Sequence, residues 1–438
     1  MSVSRKAFVG GLSAAVVAPF VGGCIRRDTT RHDVSEETLP PWREGELELH
    51  FIHTGRGENC LFRLPDGTTI LNDVGDFFRP RWVKNGDLPL LPSDKMLGGD
   101  WVSAYMKRVG CPRIIDYLIF SHWHIDHVGH SRYGVRDEPE RAYHYRVTGD
   151  GRMVNGFLCV AEDFRFRRYF DREWPARGTW AGGRKDCHPA VDGWLKPQMA
   201  AGKTVAEEFR VGALNQIALL HDPGRYSGSF EVRNLCASGK LWDGADGFRD
   251  FAAGHVAAGG KSVIDENLLS LGFSIRYGDF SFFTVGDAYG KVMTAAGKVN
   301  FEQLLGERAG RMSLCKMNHH GCCGAMVPGF VDAVRAKAYV CSMWDSRQCD
   351  DFALKSIVET HSKFGEKPLI LPNVAPASRL AAAARNEGLM DRADTRGPAH
   401  IVVKVPPGGR EFTVYLLDAA DPDLGLRILK SFTRSSRT

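Results

Sequence analysis

The sequence predicts an α/β fold, and three observations point to it. Short apolar runs of strand character alternate with amphipathic segments of helical period. Several of those runs end in residues able to bind a cation. Glycine, at 48 of 438 residues, is abundant enough for long strand-end loops. At 43% hydrophobic and 25% charged, the chain has the composition of an ordinary globular protein, long enough for one large or two moderate domains. Its formal charge of +5 tolerates an anionic substrate, but no clustered basic face argues for nucleic acid.

Residues 1–24 read as an export signal rather than as part of the fold. Ser4-Arg5-Lys6-Ala7-Phe8 resembles the twin-arginine motif with lysine in second place, and the apolar run from Leu12 to Phe20 is too short to span a bilayer. Val21-Gly22-Gly23-Cys24 resembles a bacterial lipoprotein cleavage box; the alternative is an ordinary secretion signal with an incidental cysteine. The lipoprotein reading puts the protein on the periplasmic side of the cell envelope, held to the membrane through a lipidated Cys24, with residues 25–46 as a polar tether.

Residues 47–75 read as a β-hairpin and 98–110 as a helix with Trp101, Val102, Tyr105, Met106 and Val109 on one stripe. A strand over 114–120 then runs into Ser121-His122-Trp123-His124-Ile125-Asp126-His127. Alternate side chains of an extended segment share a face, so His122 and His124 can grip one cation while Asp126 and His127, past a turn, reach a second. Imidazole with carboxylate suits Zn²⁺ first, as one ion or two, with Mn²⁺ or Fe as alternatives.

Three more strand ends carry related signals. Phe282-Phe283-Thr284-Val285 ends in Gly286-Asp287, Leu314-Cys315-Lys316-Met317 ends in Asn318-His319-His320-Gly321, and Thr69-Ile70-Leu71-Asn72 ends in Asp73-Val74-Gly75. With the His-x-His-x-Asp-His string, these resemble the metallo-β-lactamase superfamily. The passages Leu49 to Asn59, Pro65-Asp66-Gly67, and Glu266-Asn267-Leu268-Leu269-Ser270-Leu271 resemble its ComEC-type branch of hydrolase domains. The resemblance covers about residues 47–130 and 230–415 and implies a four-layered αββα sandwich. It also implies ligand roles: His122 and His124 on one metal, Asp126, His127 and His320 on the other, Asp287 bridging, and Asp73 supporting the loops. Asp126, His319 and His320 are the residues expected to touch the chemistry, with His320 preferred to His319 as the ligand.

Many two-metal relatives supply one further histidine, and none stands in a clearly equivalent context here. The candidates are Asn234, which falls near the equivalent strand position, His255 on a Gly/Ala-rich loop, or no residue. His144, His188 and His221 lack a strand end or a companion ligand.

The metallo-β-lactamase-like domain is expected to run from 47 to 425, with an insertion at about 131–229 rimming the site and a tail over 426–438. Arg165, Arg167 and Arg168 of that insertion alternate with aromatic residues and could pair with a phosphorylated ligand, or lie on a half-exposed strand. Later strands are expected at 230–235, 269–276, 280–285, 313–317, 338–342, 369–371, 400–405 and 411–417, and helices near 301–306, 328–335 and 352–364. The scattered cysteines read mostly as core residues, while Cys322 and Cys323 fall beside the expected metals.

What the resemblance implies is a metal-dependent hydrolase, cleaving a phosphodiester of nucleic acid or of an envelope polymer. The alternatives are a lactone or β-lactam-like carbonyl hydrolase, and an inactive lipid-anchored binding protein. With no bundle of membrane spans, a ComEC-type channel is not expected.

Overall fold

The strand Leu47–Phe51 shows how this chain builds its layers. Leu47, Leu49 and Phe51 point one way and Glu48 and His50 the other, yet all five are buried, so the strand is covered on both faces. A computed structural model describes residues 37–77, 88–129, 145–176, 187–257, 264–294, 297–374 and 398–437, all within one unit spanning 35–438. The export signal, Cys24 and His144 lie outside the described residues, and nothing is described of the His188 side chain.

The fold is mixed α/β, built mainly on two sheets. The larger has nine strands in the order Ile428–Ser435, Glu411–Asp418, Ala399–Val405, Leu47–Phe51, Asn59–Arg63, Thr69–Val74, Ile114–Phe120, Arg165–Asp171 and Val205–Ala206. The smaller has eight, in the order Phe248–Asp250, Lys240–Trp242, Phe230–Ala237, Gly272–Tyr277, Phe280–Val285, Leu314–Lys316, Ala338–Cys341 and Leu369–Pro372.

One apolar core is shared by the two sheets, with Leu49, Phe51, Phe62 and Ile119 of the first meeting Ile275, Phe282, Leu314 and Val340 of the second. The ring of Phe282 meets Phe51 at 6.0 Å and Phe62 at 5.5 Å, both edge-on. A second core packs helices Gly98–Arg108, Phe157–Asp163 and Cys187–Ala200 on the first sheet, through Trp101, Tyr105, Phe157 and Val191. A third packs helices Phe301–Ala309, Pro328–Val334 and Asp351–Ser362 on the second, through Leu305, Phe330 and Ile357.

Several expectations change at the edges. The hairpin over 47–75 is three antiparallel strands, because the glycine-rich turn and Pro65-Asp66-Gly67 each reverse the chain. Residues 37–46 are no free tether: Leu39 is buried, its N–H donates to the Leu426 carbonyl, and Lys404 donates to the carbonyls of Pro40 and Pro41. The expected tail contains an edge strand, Ile428–Ser435, whose backbone pairs with Glu411–Asp418. The strand expected from 269 starts at Gly272, because the Asp265 carboxylate caps a 3₁₀ turn over Glu266–Leu269.

Part of the segment expected to rim the site contributes two strands to the larger sheet, Arg165–Asp171 and Val205–Ala206. Arg165–Asp171 pairs parallel to Ile114–Phe120, which leaves alternate arginines outside the core. Arg167 pairs with Asp116 at 3.3 Å and Arg168 with Glu207 at 2.6 Å.

Candidate metal centre

Parallel strands carry their loops to one end, and here those loops converge. Thr69–Val74 pairs parallel to Ile114–Phe120, and Phe280–Val285 to Leu314–Lys316. Their ends deliver Asp73, the His122–His127 loop, Asp287 and the His319–His320 turn.

The first loop is fixed by buried carboxylates. Asp73, with a left-handed φ of 59°, accepts from the Ser121 N–H and hydroxyl at 2.7 Å each and from His127 Nδ1 at 2.9 Å. Glu266 accepts from the Trp123 N–H at 3.0 Å while the Arg172 guanidinium holds it with two bonds, at 2.6 and 2.8 Å. Gly75 has no room for a side chain: a Cβ there would lie 1.9 Å from the Asp126 carbonyl oxygen. That close approach sets the short helix Ile125–Val128, which carries Asp126 and His127.

The facing loops are fixed in the same way. A Cβ on Gly286 would lie 2.4 Å from Ser121 Oγ, so glycine lets the Asp287 loop touch the first one. The Asp287 N–H donates to Ser270 Oγ at 2.9 Å, and that hydroxyl donates to the Asn267 carbonyl at 2.7 Å. His319 and His320 are consecutive left-handed residues, with φ of 47° and 51°. Cys349 N–H donates to the His320 carbonyl at 2.9 Å and Asp350 N–H to the Gly321 carbonyl at 2.7 Å. From behind, buried Glu302 accepts from Asn318 Nδ2 at 2.8 Å and from the N–H groups of Met326 and Val327. Burial pushes the Glu302 carboxyl up to about 7 against those bonds.

The side chains so delivered form a dense cluster. His127 Nε2 lies 3.2 Å from both His320 Nε2 and Asp287 Oδ2. Asp126 Oδ2 is 3.4 Å and Asp287 Oδ2 3.5 Å from His320 Nε2. His122 Nε2 lies 3.1 Å from His124 Nδ1 and 3.9 Å from Asp287 Oδ2. A buried group of Glu58, His127, Asp287 and His320 could hold a metal ion, each offering one ligand atom and all four atoms lying within 4.8 Å of one another.

Two facts make the donor set fit a cation. Each key imidazole has its Nδ1 on a fixed acceptor, Asp73 for His127 and the Ser342 carbonyl at 2.7 Å for His320, which turns both Nε2 atoms into the cluster. Four carboxylates, Glu58, Asp73, Asp126 and Asp287, are buried here, and the buried Lys316 ammonium contacts only Glu58 among them, at 2.8 Å. Burial opposes charge on His127 and His320, but Asp287 above all, with Asp126 and, for His127, Asp73, lifts both above the ordinary imidazole value. His122 shifts the other way, lowered by burial and by the like charge of His127 and His124. Burial would raise Asp287, but His127, His320 and His319 hold it well below the ordinary carboxylate range. The cluster as a whole draws positive charge, and a divalent cation answers that demand.

The cluster opens into a cavity of about 530 Å³ lined by both acidic and aromatic residues, among them Phe77, Asn267, Trp344, Asp345, Arg347 and Asp350. The arginines at 165, 167 and 168 are not among the lining residues.

All six expected ligands therefore come close together, and His320, not His319, belongs to the four-residue group. His319 stacks on Tyr289 with ring centres 4.4 Å apart. The candidates named for a further ligand lie elsewhere among the described residues. Asn234, on strand Phe230–Ala237, donates through Nδ2 to the Arg210 carbonyl at 3.0 Å and to Gln216 Oε1 at 2.9 Å in the segment preceding that strand. His255 lies on helix Phe251–Ala257 rather than a loop, and it too is absent from the group and the cavity lining. His221 pairs with Asp116 at 3.0 Å.

Sequence reading missed Glu58, which comes from the first glycine-rich turn. Its signal was a carboxylate between glycines and a strand, a pattern too common in turns to single out. Comparison with family models and with curated proteins finds no match for this chain.

Proposed function

We propose that the chain is a metal-dependent hydrolase of the metallo-β-lactamase superfamily, in its ComEC-type branch, and that its paired sheets with helices packed on each are the four-layered αββα sandwich. The observation that carries this reading is the meeting of His127 Nε2, His320 Nε2 and Asp287 Oδ2 within 3.5 Å, beside an open cavity. His127, His320, Asp287 and Asp126 or Glu58 would hold one cation, and His122 and His124 with Asp287 a second. Bound Zn²⁺, or Mn²⁺ or Fe in its place, supplies a water acidified toward neutrality and a counter-charge for an oxyanion.

The chain's own residues do the positioning. Asp73 and the Ser342 carbonyl fix which nitrogens face the centre, and Lys316 balances Glu58 from below. Around the opening, the Trp344 indole N–H is directed at His320 Nε2 at 3.3 Å and the Asn267 amide at His319 Nε2 at 3.4 Å, and Arg347, paired with Asp345 at 2.8 Å, is the lining guanidinium that could meet developing negative charge. Phosphodiester cleavage is the leading reaction. With Asp345 and Asp350 also at the wall, the substrate fits a small diester or the end of an envelope polymer better than a long nucleic acid.

Those same carboxylates favour a second reading, hydrolysis of a lactone or β-lactam-like carbonyl, which carries less charge into an acidic cavity. Turnover of bis(p-nitrophenyl) phosphate and of nitrocefin by one preparation, with its metal content measured, tests both. Phosphodiesterase activity with metal near one or two equivalents is expected. Nitrocefin turnover alone supports the second reading, while less than about 0.3 equivalents after loading with Zn²⁺ or Mn²⁺ refutes the metalloenzyme.

Anchorage through Cys24 belongs to the same proposal. Among the described residues no helix is long and apolar enough to cross a membrane. Cys24→Ser should move the protein to the soluble fraction with its activity intact.

A further inference from the structure

One group of metal-binding side chains is left out of this reaction. His319, Cys322 and Cys323 each offer a ligand atom, and the three atoms lie within 4.8 Å of one another. All three residues also line the cavity. The two sulfur atoms are 3.5 Å apart, Cys322 buried and Cys323 exposed. A tetrahedral ion with metal–sulfur bonds of about 2.3 Å needs its two sulfurs roughly 3.8 Å apart, so the pair is already near bonding separation.

The backbone explains why three neighbouring residues converge. Left-handed geometry at His319, His320, Gly321 and Cys323 coils the chain too tightly for alternate residues to diverge. His320 is thereby sent to the carboxylate cluster. His319 lies over Tyr289, and its buried Nδ1 has no hydrogen-bond partner among the described residues. One imidazole with two thiols is a donor set without carboxylate, unlike the centre formed by Glu58, His127, Asp287 and His320, although His319 Nε2 itself lies 3.8 Å from Asp287 Oδ2.

We propose that His319, Cys322 and Cys323 form a separate thiolate-rich binding position on the cavity wall for a soft d¹⁰ cation, with the fourth coordination place open to the cavity. Two thiolates with one imidazole select Zn²⁺, Cd²⁺ or Cu⁺ over Mn²⁺ or Mg²⁺. On binding, each S–H bond breaks heterolytically. The electron pair stays on sulfur as the metal–ligand bond, and the two protons pass to the buffer.

Titration of the reduced full chain with Cd²⁺, followed in the ultraviolet, reads this position directly, because cadmium–thiolate bonds absorb there and cadmium–imidazole or cadmium–carboxylate bonds do not. The expected result is a charge-transfer band that saturates with one equivalent of Cd²⁺ bound to sulfur. It should vanish in Cys322→Ser/Cys323→Ser and persist in Asp287→Asn, which disables the carboxylate centre. Cys323 is exposed, so Cys323→Ser tests the idea without disturbing the core; one of two metal–sulfur bonds is lost and the band should fall by about half. His319→Ala should weaken Cd²⁺ binding while leaving the band position unchanged. A missing band in the reduced wild type, or one that survives unchanged in folded Cys323→Ser and in the double variant, overturns the proposal. Because Asp287→Asn is read by absorbance, failure of this position is distinguishable from failure of the hydrolase reading.

Discussion

Among the described residues, two groups of closely spaced histidines differ in character. His122, His124, His127, His319 and His320 stand on strand-end loops with carboxylates among them. His50 and His400 sit against helix Gly98–Arg108 with His53 beside His400, and His50 meets Tyr105 at 2.9 Å and Glu48 at 2.5 Å. His53 meets Asn373 at 2.8 Å, and the ring of His400 lies 4.6 Å from that of Tyr105. In the first group nearby acids lift His127 and His320 above the ordinary imidazole value while burial lowers His122 and His319; in the second, burial pushes His53 down to about 3 and His400 well below normal, and no acid lifts either. Imidazole density alone therefore does not make a metal site. What sets the first group apart as a candidate is a set of carboxylates at the imidazoles, an Nδ1 held by a fixed acceptor on the other side of each key ring, and an opening.

The sharpest way to break this contrast is to remove one member of each group. Asp287→Asn or His127→Ala should lower metal affinity by more than the 10–100-fold typical of a supporting residue and abolish turnover, whereas His53→Gln should leave metal content unchanged. Competition with a chromophoric chelator measures both, and metal loss in His53→Gln would erase the distinction. Asp73→Asn should fall between them, with affinity down roughly 10–100-fold, because it orients His127 without entering the four-residue group.

The pH dependence of the metal-free chain sharpens the contrast further. His53 has a depressed folded value, so its contribution is complete above the unfolded value near 6.5 and is lost as pH falls toward about 3. That amounts to about 3 kcal/mol by pH 4. His127 and His320, raised by folding, contribute at low pH and lose that contribution as pH rises through their folded values. Urea unfolding of chelated protein across pH should show both slopes, with His53→Gln flattening the acid one. The smallest effect belongs to Glu302→Ala, which strands Asn318 Nδ2 and the amides of Met326 and Val327 and should cost about 1–3 kcal/mol, seen as a lower denaturation midpoint.

Much of the first histidine group was legible because each member follows an apolar strand and stands near glycine, serine or another ligand in sequence. Ile114–Phe120 and Phe280–Val285 have the bounds their residue patterns predict. Glu58 and Lys316 were not legible, since their pairing spans 258 residues and each alone resembles an ordinary turn acid or strand lysine. Arg172 and Glu266 escaped for the same reason, being 94 residues apart. The alternation in Arg165–Asp171 was visible, but periodicity could not tell a strand added to the sheet from one bordering a cavity. His50, His53 and His400 gave no signal of their closeness, because strand pairing alone brings 50 and 53 beside 400.

The left-handed turn at His319 and His320 bears on how tightly anything can bind. Two non-glycine residues held there cost on the order of 1–3 kcal/mol each, borne by the fold because Cys349 and Asp350 pin the turn from the next segment and Glu302 clamps its start. The loop is thus preorganised. An arriving cation need not order it, and little affinity is lost to conformational entropy. Such a centre should load quickly and show nearly the same amide-exchange protection over residues 318–323 with and without metal, in contrast to sites that fold around their ion.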